Sequence, residues 1–186
     1  PRKMKRKDDG MKRFVWIVFF AMVSVLATRA AFAVTDPNGF MGLKWSQSAG
    51  DCRKQGICSE QVLTLPDKLA NESTLFGKEK TFNGIAATSS SFGFFDNKFY
   101  FGAAYFDPRI VSFDHLKNEL VKTHGQPKSS SAKTSTWLLG NTKATLYKGN
   151  SFYGVIYTHA PTFTKVAKVK GYPIREKPPA PGKKKK

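Results

Sequence analysis

The stretch "TSTWLLGNTKATLYKGNSFYGVIYTH" (134–159) decides the fold of this chain, because it holds three strand-like segments in a row. Each segment is rich in apolar and β-branched residues, and they are separated at Gly140-Asn141 and Gly149-Asn150. Pairs of this kind are typical of tight turns between antiparallel strands. We therefore predict a meander of short strands with two-residue connections, over 134–140, 142–149 and 151–159.

A second hairpin and two helices precede this meander. Residues 80–106 contain two strands around the turn pair Asp96-Asn97. Ser112 is a suitable N-cap for a helix that ends at Gly125, and a shorter helix is expected over 46–55. Further strands are expected at 40–45 and 61–65, with a loop over 66–80. Sequential antiparallel strands with separate helices predict an α+β fold, a single small domain in which two helices pack on one face of a meander sheet. The predicted core consists of Phe94, Phe99, Phe101, Trp137, Leu139, Leu146, Phe152 and Ile156.

The aromatic hairpin "FGFFDNKFYFGAAYF" (92–106) carries eight aromatic residues among fifteen. A strand pair with one solvated face should alternate with polar residues, and this one does not. Two alternatives follow. Either the hairpin is covered on both sides, which we favour, or Tyr100 and Tyr105 lie on an exposed binding surface.

The N-terminal region predicts export. Residues 11–33, "MKRFVWIVFFAMVSVLATRAAFA", combine a basic start, an uncharged run of 14 residues and the small residues Ala31 and Ala33. That order is typical of a cleaved secretory signal, and the run is short for a membrane span; an uncleaved anchor or a buried helix is the alternative. We expect translation to start at Met11 (Met4 is the alternative), with 1–10 upstream of it, and the folded domain to cover 34–164, in the periplasm or secreted.

Cys52 and Cys58 are the two cysteines of the chain. In an exported protein such a pair predicts a disulfide, with free or intermolecular thiols as the alternative. Cysteines six apart in one continuous helix lie too far apart for a bridge, so the helix must end near Gln55-Gly56. The loop that the bridge closes is short, and its expected contribution is about 2–2.5 kcal/mol. The cysteines and the distant histidines do not form a zinc pattern, and we predict neither a metal nor a cofactor.

The positive charge is concentrated at the C-terminus. Of the 31 Lys and Arg residues, eight lie in 1–33, and 165–186 hold nine with a single acid, so that 34–164 has a net charge of only +4. Four prolines from Pro173 onward predict an extended, disordered tail over 165–186. Its candidate anion-binding residues are Lys165, Lys168, Lys170, Arg175, Lys177, Lys183, Lys184, Lys185 and Lys186.

The expected partner of this tail is an anionic envelope surface: lipid, lipopolysaccharide or wall polymer. A merely solubilising end is the alternative. Export and the nearly neutral body argue against nucleic acid.

Catalytic patterns are weak. Ser130 and Lys133 match S-x-x-K, but the match lies in a polar loop and lacks the companion motifs of that enzyme class. His115, His124 and His159 have no nucleophile or paired acid nearby in the sequence, and His124 is expected at the surface, at the end of its helix.

A resemblance adds to this interpretation. "GFMGLKWS" (39–46) resembles the F-x-G-x-x-W-G opening of small exported bacterial domains, with Ser46 in place of the glycine. Phe113, Leu116, Leu120, Gly125 and Pro127 fit the helix pattern that follows in such domains, and Trp137 fits their tryptophan strand. The layered arrangement is similar to the folds of β-lactamase-inhibitor proteins and outer-membrane assembly lipoproteins. The resemblance implies a binding or scaffolding role.

We therefore expect an exported, non-enzymatic domain that binds or scaffolds an envelope surface or an envelope protein. A hydrolase of an envelope polymer, using Ser130 and Lys133 or a histidine pair, is one alternative. A secreted enzyme inhibitor that presents the aromatic hairpin is another.

Overall fold

The computed structural model describes residues 35–63, 69–78 and 81–171, and within these ranges the chain is an α+β domain, as predicted. In chain order the elements are β1 (Gly39–Phe40), β2 (Leu43–Lys44), α1 (Ala49–Lys54), β3 (Cys58–Val62), β4 (Glu72–Gly77), β5 (Thr81–Phe82), β6 (Ile85–Ala86), β7 (Ser89–Phe95), β8 (Lys98–Phe106), α2 (Phe113–His124), β9 (Ser129–Ser130), β10 (Thr134–Leu139), β11 (Thr142–Lys148), β12 (Tyr153–His159) and α3 (Ala160–Val169).

The main sheet has eight antiparallel strands in the order β3-β4-β7-β8-β12-β11-β10-β9. The predicted meander forms its second half, and the aromatic hairpin β7–β8 joins it through the pairing of β8 with β12. Asp96 and Asn97 both have positive φ (50° and 58°), as a tight hairpin turn requires. The β11–β12 connection is longer than predicted, because the N–H of Gly149 donates to the carbonyl of Phe152 and β12 begins only after it.

The first face of the sheet carries the main core. Strands β1 and β2 and helices α1 and α2 contribute to that core, whose largest buried side chains include Phe92, Phe94, Phe99, Trp137, Leu139 and Leu146. Each such side chain contributes about 1.5–3 kcal/mol by leaving water. Helix α2 begins and ends as predicted, because Ser112 accepts a hydrogen bond from the His115 N–H and Gly125 has φ 73°. The Trp137 indole N–H donates to the Gly125 carbonyl over 2.8 Å, which connects the end of the helix to β10.

Strand β1 lies directly on the centre of the sheet. A Cβ atom at Gly102 would come within 2.3 Å of the Phe40 ring, so only glycine allows this approach. The hairpin β1–β2 is therefore part of the core and not a peripheral addition.

Cys52 and Cys58 form the predicted disulfide. Helix α1 ends at Lys54, Gly56 turns the chain with φ 71°, and the two Cα atoms lie 5.3 Å apart. Both cysteines are buried in the main core, so the bridge connects α1 to β3 inside the domain.

Three predicted core residues occupy other positions. Phe152 is 38 % exposed, Ile156 lies on the opposite side of β12 from the core, and Phe101 packs in a separate cluster. The reason is that β12 is apolar on both sides, so alternation alone does not tell which side faces the core. Tyr153, Val155 and Tyr157 take the core positions instead. Strand β4 also lies where a loop was predicted.

The second face is partly covered by helix α3, which the sequence analysis did not predict. Residues 165–169 belong to this helix, and its Val166 side chain packs on Phe95 and Tyr100. The predicted boundary at 165 is therefore wrong. The disordered tail was predicted from its prolines, and the first of them, Pro173, comes only after the helix has ended. The prediction for 172–186 lies outside the described residues.

A β-bulge in β8 places two aromatic residues under this helix. Phe94 pairs with Phe99 and Gly93 pairs with Phe101, which leaves Tyr100 as the extra residue. As a result Tyr100 and Phe101 both lie on the second face. Tyr100 is only 5 % exposed, so the favoured alternative, coverage, is confirmed at this position, and the alternative that places Tyr100 on an exposed binding surface is wrong.

A buried ion pair connects the end of α3 to the sheet. Lys170 Nζ lies 2.7 Å from Glu72 Oε2, and the Tyr100 hydroxyl donates to the other carboxylate oxygen. Burial opposes ionisation of Glu72, but the hydrogen bonds from Lys170 and Tyr100 outweigh it and lower its pKa. Lys170 is therefore a structural residue of the folded domain and not part of a mobile tail.

Replacing Lys170 should destabilise the domain. Lys170→Met leaves the Glu72 carboxylate buried without its cation, so we expect the free energy of unfolding to fall by roughly 3 kcal/mol. Lys168→Met, at an exposed position of the same helix, is the matched control and should change it by less than about 0.5 kcal/mol. Urea unfolding followed by tryptophan fluorescence measures both, and equal effects would contradict the structural role of the pair.

Candidate functional site

An aromatic groove of about 520 Å³ lies on the second face of the sheet, at the end that α3 leaves open. Four aromatic residues line it: Tyr105 and Phe106 from β8, Tyr147 from β11 and Phe152 from the loop before β12. Its polar lining comes from Thr88, Ser89, Ser151 and Asp107. Aromatic rings among hydroxyl groups are typical of recognition surfaces, because the rings bury area while the hydroxyl groups orient a ligand.

The position of the rings follows from the strand register. Tyr105 and Tyr147 both pair with Gly154, one from each side, so the three residues form one row across the sheet. A Cβ atom at position 154 would lie 2.1 Å from the Tyr147 ring, so the glycine provides the space that this ring occupies. Phe152 packs edge-on against both tyrosines, with ring centroids 5.6 and 5.7 Å away.

The charges at the groove favour binding over acid–base chemistry. Hydrogen bonds from the Arg109 side chain and backbone lower the pKa of Asp107 to about 2, so this carboxylate stays ionised. Burial raises the pKa of Tyr147 to about 12, so its phenol stays neutral. General acid–base catalysis requires a group that gains and loses a proton near neutral pH, and neither Asp107 nor Tyr147 does so.

The two candidate surface residues from the sequence, Tyr100 and Tyr105, thus have different surroundings on the second face. Tyr105 is half-buried and lines the groove, whereas Tyr100 lies beneath α3. Tyr147 and Phe152 were not predicted as site residues. Tyr147 lies on a strand whose position relative to Tyr105 depends on the long-range β8–β12 pairing. The position of Phe152 beside the Gly149-Asn150 turn could have indicated its exposure, but Phe152 was predicted to be a core residue.

The predicted cationic residues divide into three groups. Lys165 and Lys168 are exposed on α3, and Lys170 pairs with Glu72. Six others lie outside the described residues: Arg175, Lys177, Lys183, Lys184, Lys185 and Lys186.

A second cavity, the hairpin pocket, lies on the other side of the sheet. It encloses about 340 Å³ between the β1–β2 hairpin, the β5–β6 turn and the end of α2. His124 and Tyr157 line it, and the Nε2 atom of His124 is hydrogen-bonded to the Tyr157 hydroxyl. His124 is 6 % exposed, so its predicted surface position is wrong. It is buried because the last turn of α2 packs against β12.

The other candidate catalytic residues do not assemble into a nucleophilic site. The amine next to Ser130 is that of Lys117, whose Nζ donates to the Ser130 hydroxyl over 2.9 Å on the exposed surface. An activated Ser–Lys pair needs a desolvated lysine, which this contact does not provide. His159 stacks on Trp45 with centroids 5.9 Å apart, its Nδ1 lies 2.9 Å from the Thr162 hydroxyl, and His115 is exposed.

In the described part of the chain, no three or more His, Cys, Asp and Glu side chains come together as a metal site. No helix among residues 35–63, 69–78 and 81–171 has the length and apolar character needed to cross a membrane.

Comparison of the chain with protein-family models, with curated proteins and with solved structures finds no match. The resemblance to exported bacterial domains therefore stays a prediction from the sequence.

Acid should destabilise the domain through the buried His124 and the half-buried His159. Burial lowers the pKa of His124 from 6.5, and it also lowers that of His159 despite the opposing charge of Asp36. Above pH 6.5 both are neutral in the folded and unfolded chain. As the pH falls below this value the unfolded chain binds protons first, so stability is lost, by at most about 1.4 kcal/mol per pH unit for each histidine.

Urea unfolding at a series of pH values between about 7 and 5 tests this linkage. We expect His124→Gln to reduce the slope of unfolding free energy against pH, whatever its effect on stability at pH 7. His115→Gln, which removes an exposed imidazole from the same helix, is the control. A slope that His124→Gln leaves unchanged would contradict the assignment.

Proposed function

We propose that this chain is an exported, non-enzymatic binding or scaffolding domain of the cell envelope. Its cationic C-terminal segment attaches the domain to an anionic surface, and the aromatic groove contacts the molecule that the domain recognises there. The observation that carries this proposal is the groove itself, in which Tyr105, Tyr147 and Phe152 meet at the end of the second face that α3 leaves open.

Two further features support the proposal. The signal-like segment at 11–33 and the Cys52–Cys58 bridge both fit an oxidising compartment outside the cytoplasm. The groups capable of catalysis are either in structural contacts or exposed singly. A binding role uses the groove as it stands, whereas a hydrolase would need a nucleophile with an activating base.

The two surfaces have different physical characters, which allows them to be tested separately. The segment 172–186 carries six basic residues and one acid, so its attraction to an anionic surface should weaken steeply as salt increases. The groove acts through ring contacts and hydrogen bonds, so its contribution should depend little on salt. Because helix α3 and Lys170 belong to the fold, the chain must be shortened after Gly171 and not earlier.

Cosedimentation tests the cationic segment, using vesicles of phosphatidylcholine with and without phosphatidylglycerol. The exported protein should bind only the anionic vesicles, and the protein truncated after Gly171 should lose this binding while its melting temperature changes little. Lys170 and Glu72 remain in both proteins, so a difference in binding reports the segment alone. If the truncated protein binds as well as the whole, the segment has no role in attachment.

Retention on purified envelope material at high salt tests the groove. Phe152→Ala should reduce the salt-resistant part of the retention several-fold and leave vesicle binding unchanged. Leu138→Ala is the matched control, because Leu138 is an exposed apolar residue on the same face of the sheet but outside the groove. Equal retention of the Phe152 and Leu138 variants would exclude the groove as the recognition surface.

A further inference from the structure

The hairpin pocket has the size and the lining of a small-ligand site. Its volume of about 340 Å³ is within the range of small-molecule pockets, roughly 300–1,000 Å³. The apolar lining includes Phe40 and Phe82, whose rings stack with centroids 5.7 Å apart, and the Phe40 ring also packs against Tyr157 at 5.3 Å. These rings offer a flat apolar contact surface for an aromatic or short aliphatic group.

The backbone around the pocket holds an unusual conformation. Six non-glycine residues in the described part of the chain have positive φ, and three of them line this pocket: Asn38 (49°), Met41 (47°) and Asn83 (50°). Met41 and Asn83 each begin the two-residue turn of a short hairpin, β1–β2 and β5–β6, and tight hairpin turns require positive φ. The fold maintains this geometry because the Asn38 N–H donates to Asp36, and Asp36 in turn accepts hydrogen bonds from Asn141 and Thr142.

The hydrogen-bonding groups at the pocket favour a ligand that carries an acceptor. Burial raises the pKa of Tyr157, so the phenol keeps its proton. Nε2 of His124 and the Tyr157 hydroxyl share one hydrogen bond, whose direction depends on the histidine tautomer. In the tautomer with the proton on Nε2, the Tyr157 O–H is left to donate to a ligand in the pocket, next to the apolar walls.

The charge at the pocket selects among such ligands. Among its lining residues Lys44 is the only one with a formal charge, and no lining residue is an acid. Lys44 is exposed, so its ammonium group can attract an anionic ligand that enters the pocket.

We propose that the hairpin pocket binds a small carboxylate with an apolar body. The carboxylate accepts a hydrogen bond from Tyr157 and faces Lys44, and the apolar body lies against Phe40 and Phe82. This site is separate from the aromatic groove and from the C-terminal segment, so the ligand proposal is tested independently of the function proposed above.

Benzoate and its neutral isostere benzamide are suitable probes, because they have the same ring and differ in charge. Titration of the exported protein is followed by the amide resonances of residues 38–44, 83, 123 and 124, which report on the pocket alone. We expect saturable shifts at these residues, with benzoate binding more tightly than benzamide.

Two variants with a matched control complete the test. Tyr157→Phe keeps the ring and removes the donor, and should weaken both probes about fivefold. Lys44→Gln, at an exposed position, should weaken benzoate about threefold and leave benzamide unchanged. Lys143→Gln, an exposed lysine outside the pocket, should change neither.

The proposal is overturned if benzoate shifts only resonances outside the pocket, or if benzoate and benzamide bind equally. It is also overturned if Lys44→Gln and Lys143→Gln have the same effect on benzoate. Should Tyr157→Phe not fold, the Lys44 comparison decides the outcome.

Discussion

The pairing of β8 with β12 is the constraint on which the rest of this structure depends. These strands are far apart in the sequence, with α2 and the strands β9 to β11 between them, and their register runs from Phe101 opposite Thr158 to Phe106 opposite Tyr153. It joins the aromatic hairpin and the meander into one sheet. A shift of this register by one residue would exchange the faces of the strand and move its core side chains to the other side.

The same register assembles the aromatic groove. Tyr105 and Tyr147 come together because both lie opposite Gly154 on β12, and the glycine leaves the space for the Tyr147 ring. The core packing and the aromatic groove are thus two results of one set of backbone hydrogen bonds. This explains why an apolar strand has a groove on the side that faces away from the core.

Helix α3 divides the second face into a structural half and an open half. At one end Val166 covers Phe95 and Tyr100, and the Glu72–Lys170 pair attaches the end of the helix to β4. At the other end the groove stays uncovered. The eight aromatic residues of the hairpin therefore lie in different surroundings: the first-face rings form the core, Tyr100 packs under α3, and Tyr105 lines the groove. Coverage, the alternative favoured from the sequence, applies to Tyr100, whereas Tyr105 is only half-buried.

The sequence by itself determined several local features of this protein, although not helix α3 or strand β4. The helix caps at Ser112 and Gly125, the turn at Asp96-Asn97 and the Cys52–Cys58 bridge depend on residues close together in the chain, and they could be read from it. Only the tertiary structure decided which side of β12 faces the core, that α3 covers Tyr100, and that His124 is buried against Tyr157. The physical reason is that β8 and β12 are apolar on both sides, so their alternation is ambiguous. Backbone hydrogen bonds between these two strands resolve the ambiguity, and they join residues far apart in the sequence, such as Phe101 and Thr158.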